Sequence, residues 1–120
     1  MKTQAEYQEI EAKLRAAIEK RIAEGWTMAP TFLYAIAGDI KACCALGAVA
    51  IEAGANPKEP GHTPGYALAI QALGLDDNHE KWGLIHGFDS GLSYGEDDAG
   101  MVEIGQRLRA DYLIGKPQEA

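Results

Sequence analysis

The stretch Asp39–Gly54, DIKACCALGAVAIEAG, governs the reading of this chain. From Ile40 to Ala53 it is apolar almost all round, and a helix without a polar face must be surrounded by others. Asp39 stands where an N-cap residue is expected, and Gly54 where a chain leaves a helix in the left-handed conformation. Cys43, Cys44, Gly47 and the alanines keep the segment thin, so neighbours can approach closely. The pattern predicts a central helix over 40–53, covered by the rest of the chain.

Before it, Tyr7, Ile10, Leu14, Ile18 and Ile22 recur at spacings of three and four. That is one stripe of an amphipathic helix over 3–24, ended by Gly25. Glu9–Lys13 and Glu11–Arg15 are favourable acid-before-base pairs on its other face. Trp26 to Asp39, with Pro30 and Gly38, reads as irregular, a short extended or 3₁₀ stretch with its aromatics turned inward. After the loop 55–63, Thr63 as cap and Pro64 at the first helical position start a helix over 64–73. Asp76 or Asp77 caps another over 77–87, with Trp82, Ile85 and His86 toward the core. FDSGLSYGED (88–97) is a loop. Asp98 caps a last helix over 99–113, with Met101, Ile104, Leu108 and Tyr112 on one face, and the tail 116–120 is expected to fray.

No period-two run flanked by turn dipeptides stands out, so no strand pair is expected. The fold expected is all-α: a compact bundle of about five helices in one domain over 1–120. Its long N-terminal helix, 1–25, is available as a dimerisation arm.

The chain has 120 residues and a net charge of −7. That charge is not diffuse. Residues 76–103 hold eight acids and a single base, Lys81. An acidic chain lacks the basic footprint that phosphate neutralisation demands, which argues against nucleic acid as a partner. The longest apolar run, Ala42 to Ile51, is ten residues, short of the ~20 that a membrane helix needs. The N-terminus has no apolar segment of the secretory kind. Two adjacent cysteines make no disulfide framework and point to a reducing, cytoplasmic setting.

Three constellations carry chemistry. Cys43 or Cys44 could act as a nucleophile with His86 as base and Asp89 orienting it. Burial as a small hydrophobe is the commoner fate of a free cysteine. His79, His86 and Asp89 follow one another on a helix and offer metal-ligand types. A spacing of seven holds the two histidines about 10 Å apart along the axis, so a metal would need ligands from elsewhere, such as Asp97 or His62, and none is assigned. The acidic loop from Asp89 fails the calcium-loop pattern at positions three, five, six and twelve (Gly91, Ser93, Tyr94, Gly100). Asp76, Asp77, Asp97 and Asp98 instead sit where helix N-termini favour anions. No phosphate-binding glycine loop, nucleophile elbow or HExxH run is present, and no cofactor is assigned.

Cys44-Ala45-Leu46-Gly47-Ala48 resembles the Cys-x-Leu-Gly-Ala helix of a loose group of small bacterial and phage proteins. Tyr66–Leu75 resembles that group's Leu-rich helix, and Val102–Leu108 its closing one. Ile85–Asp89, IHGFD, stands where the group has an Asn-Asp turn. The group has no assigned activity. The resemblance implies only that Cys44 and Gly47 pack helices. The expectation is therefore a small helical binding or interaction module, self-associating through its N-terminal helix. The alternative is a Cys–His hydrolase or transferase using Cys43 or Cys44 with His86 and Asp89. What the caps leave of the acidic block is Asp89, Glu96 and Asp97 near His86, the first place to seek a ligand or cation.

Overall fold

Among the residues that the computed structural model describes (2–31, 33–59 and 61–114), five α-helices form. They are α1 (Gln4–Ala23), α2 (Ala45–Glu52), α3 (Thr63–Leu73), α4 (Asn78–Asp89) and α5 (Ala99–Arg109), with a π-helical turn, Ala110–Ile114, after the last. The tail 116–120 lies outside the described residues. The long N-terminal helix is where its stripe puts it. Thr3 and Glu6 close a capping box at its start, satisfying two of its free amide donors. Ile10, Leu14 and Ile18 are buried, and Tyr7 and Ile22 pack half-buried on the core.

The all-α expectation is corrected. Three short strands, β1 (Thr27–Met28), β2 (Tyr34–Ala37) and β3 (Ile40–Cys43), form a sheet in the order β1-β3-β2. β3 runs parallel to β1, with Met28 opposite Cys43, and antiparallel to β2, with Ala37 opposite Ile40. The first four residues of the expected central helix are thus the middle strand. Gly38-Asp39 is the two-residue hairpin connection between β2 and β3. Gly38 has φ +61, and Thr31 is the one described non-glycine residue with positive φ, so the turn is bent at its first residue, as in a II′ hairpin. Asp39 belongs to the turn and caps nothing. Four-residue strands are too short to show a period, and an apolar run is ambiguous between helix and strand.

The helix proper starts at Cys44, whose Sγ accepts the Gly47 N–H at 3.4 Å. Sulfur is a weak acceptor and cysteine no usual cap, which hid this start in the sequence. Ala45 to Ala50 are all buried, so α2 is central as expected. Gly47 meets the Leu33 carbonyl, where a Cβ would have no room.

The other caps match more closely. Asp77 and Asp98 accept from Glu80 N and Met101 N at the starts of α4 and α5. α3 begins one residue early: His62 holds the cap position without a side-chain bond, and Thr63 is already helical. Lys2 reaches Asp76 at 2.9 Å and the buried Glu80 at 3.3 Å. Much of the acidic block is therefore spent on helix starts and on the N-terminus.

α4 overturns one expectation that matters for function. Trp82 does not face the core but is 43% exposed. α4 turns Gly83, Leu84, Gly87 and Phe88 inward instead, against α5. A Cβ on Gly87 would strike the Val102 carbonyl, and one on Gly105 would lie 2.6 Å from Phe88 N. The close crossing of α4 and α5 needs a face without side chains, so the large aromatic residue is left outside.

Candidate functional site

The four residues expected to act together divide between two places. Cys43 and Cys44 lie at the junction of β3 and α2, 0% and 7% exposed. Burial pushes both thiols up to about 12. The helix amides around Cys44 pull the other way without overcoming it. Cys44 shares a pocket of about 10 Å³ with Leu84, Phe88 and Asp89, scarcely room for one water. Asp89 is half-buried, and burial raises its carboxyl while a bond from the Thr31 backbone lowers it. Thr31 sits at φ +88, a strained position for a β-branched residue. Cys44 and Asp89 are thus brought together, in a pocket too small for a substrate.

His86 belongs elsewhere. It lies on the outer side of α4, its side chain 29% exposed, in an open cleft of about 540 Å³ lined by Asn78, His79, Trp82, Glu96 and Asp97. The cleft runs between α4 and the loop that leads to α5. His86 Nδ1 lies 2.7 Å from Asp97 Oδ2. A carboxylate only accepts, so Nδ1 carries the hydrogen, and in a neutral imidazole Nε2 is then an acceptor. None of the described residues bonds Nε2 or Asp97 Oδ1.

The ring is held on other sides too. Trp82 stacks on it at 5.5 Å with planes 24° apart, and Tyr94 meets it edge-on at 4.7 Å. Asp97 fixes the loop as well, accepting the Tyr94 N–H at 2.8 Å on the same oxygen that faces His86. A single buried carboxylate, 6% exposed, thus sets both the imidazole and the loop that covers it. His79 stands at the rim, 3.6 Å from Glu96.

The sequence had pointed to His86, Glu96 and Asp97 as neighbours, and they line one cleft; Asp89 does not line it. Tyr94 was missed, and Trp82 was assigned to the core. The signal for Trp82 was the glycine pair Gly83 and Gly87, spaced to free one helix face for close packing. Among the described residues no three His, Cys, Asp or Glu side chains converge to hold a metal ion. His62 packs against Tyr34, with ring centroids 5.1 Å apart, away from this cleft.

A second concavity lies between α1, α2 and α3. Ala16 and Ala17 of α1, Val49 and Ala53 by α2, and Ala72 and Leu73 of α3 floor a groove of about 400 Å³, with Lys13, Lys20 and Glu52 at its edge. No described helix is long and apolar enough to cross a membrane. No family model matches the chain, and no curated protein or solved structure matches it significantly.

Proposed function

We propose that this chain is a small helical binding module whose ligand occupies the cleft at His86. One observation carries the reading: the imidazole is locked by Asp97, Trp82 and Tyr94 with Nε2 open to the cleft. A rigid acceptor beside an exposed aromatic wall is what a recognition site requires, a few placed polar groups on a hydrophobic surface. The alternative Cys–His chemistry gains no support from the geometry. Its thiols are protonated and sealed, and its histidine is committed to Asp97 in a different cleft.

A fragment screen by thermal shift and tryptophan fluorescence tests the binding reading. Trp82 is exposed and Trp26 is buried, so a ligand in the cleft perturbs one of the two. Hits should lose their effect with Trp82→Ala and with His86→Ala. A complete set without hits, or hits indifferent to both substitutions, would overturn it.

Self-association through α1 is a second reading, favoured by the groove on that helix. The stripe that first suggested it is spent inside the fold, against α2, α5 and β1. What is left to a second copy is the alanine floor edged by Lys13, Lys20 and Glu52. Both charge signs at one rim suit an isologous contact, in which each patch meets itself. Sedimentation should give a dimer that Ala53→Glu converts to monomer; a wild-type monomer at high micromolar concentration rejects it.

A further inference from the structure

Resting on the binding reading of the His86 cleft, we propose that its ligand is a planar organic cation, an amidinium or guanidinium on a small apolar body. The charge of the lining sets the sign. Glu96 and Asp97 face the cleft, and neither lysine nor arginine lines it. Among the described residues their ion-pair partners are histidines only, His79 and His86. Asp76 and Glu80, by contrast, have Lys2, and Asp98 is occupied by the Tyr7 hydroxyl at 2.7 Å and by the α5 amide. With no lysine or arginine paired to them, the cleft carboxylates can take a cation from outside.

The hydrogen-bonding inventory sets the donors. With the imidazole neutral, His86 Nε2 joins the open Oδ1 of Asp97 and the Glu96 carboxylate as acceptors, an array suited to several N–H groups on one ligand. Asp97 is the telling member, because its side chain is 6% exposed and yet one of its oxygens is left unused. An amidinium or guanidinium presents two parallel N–H groups in the geometry that carboxylates favour.

The aromatic wall sets the shape. Trp82 and His86 are stacked with their planes 24° apart, so each covers part of one face of the other, and the indole, 43% exposed, still offers aromatic surface to the cleft. The indole already accepts a cation from its own chain, with Lys81 Nζ 4.7 Å from its centroid. A planar cation lying along this wall gains both stacking and the ring quadrupole. An anion would face two carboxylates in the most acidic quarter of the chain.

Three probes of one size separate these contributions: benzamidinium, benzamide and benzoate. Each is titrated into the whole protein while the Trp82 indole and His86 ring signals are followed by NMR. Benzamidinium should bind about tenfold or more tighter than benzamide, which corresponds to one charge-assisted contact, and benzoate should not bind. Raising the salt should weaken benzamidinium and leave benzamide unchanged. Glu96→Gln, at an exposed position, should weaken benzamidinium two- to fivefold, about the range of a surface pair. Trp82→Ala should weaken it about tenfold.

Benzamide or benzoate binding as tightly as benzamidinium would overturn the cation and leave the cleft as a site. Benzamidinium shifts that lie elsewhere, or that survive Trp82→Ala unchanged, would overturn it too. Should none of the three move Trp82 or His86 while other fragments do, the ligand class is wrong. Should no fragment move them, both the class and the site are wrong.

Discussion

Cys44 and His86 each stand next to an aspartate, and the two neighbourhoods behave in opposite ways. At Cys44 the start of α2 and the inner face of α4 close together and leave about 10 Å³. At His86 one helix and one loop leave about 540 Å³. A reactive residue type is thus not enough to make a site. Burial disfavours the charged form of the thiol, and the same burial denies it a substrate. The imidazole, half out of the core, keeps an acceptor and a wall to work with.

The sharpest way to break this contrast is to label the thiols. Values near 12 against an ordinary 8.5 cut the thiolate at pH 7.5 about a thousandfold. Native Cys43 and Cys44 should therefore react with iodoacetamide about a thousandfold more slowly than in the unfolded chain. Labelling at comparable rates in the two states would return the cysteine to candidacy.

Packing at the sealed end comes next. Gly47→Ala pushes a methyl into the Leu33 carbonyl and should cost about 3 kcal/mol in urea unfolding, at the upper end for overpacking. An unchanged midpoint would mean that this region is looser than described.

At the open end Asp97→Ala removes the acceptor of two bonds, to His86 Nδ1 and Tyr94 N. About 2 kcal/mol should be lost, with faster amide exchange at Tyr94. Loss of stability without a change at Tyr94 would separate the loop from the dyad.

The smallest effect concerns Asp89. Burial raises its carboxyl in the folded state, so the fold prefers the protonated form. The stability tied to that proton is present at low pH and is lost as pH rises through the folded value. Asp89→Asn keeps an acceptor for the Thr31 amide and carries no charge. Its melting temperature should exceed the wild type's at pH 7, with the gap closing near about pH 3, below ordinary carboxylate values. A variant less stable at pH 7 would assign the carboxylate a partner that burial alone does not suggest.

Legibility in the sequence followed the strength of the local signals. α1 was readable because its stripe, Tyr7 to Ile22, repeats turn after turn. Asp77 and Asp98 were readable as caps because aspartate is a usual one. β3 was not, because Ile40 to Cys43 is too short to show a period and the start of α2 depends on a sulfur cap. The hairpin signal, Gly38-Asp39, was present and lost to the stronger helical pattern after it. At the site, the acidic neighbours of His86 were legible from the charge ledger, since the caps accounted for the others. Trp82 was not, because apolar size suggested burial, whereas the fold buried Gly83 and Gly87. Nor was the parting of His86 from Cys44, which depends on where α4 meets α2 and on no local pattern.

The central claim is that recognition occurs at the open cleft and not at the sealed cysteine. Chemical-shift mapping of a fragment mixture on the whole protein tests it most directly. Shifts should concentrate at the Trp82 indole, the His86 ring and the Tyr94 and Asp97 amides, with Cys43 to Ala50 unmoved. Shifts centred on Cys44 and Asp89, with His86 silent, would contradict it.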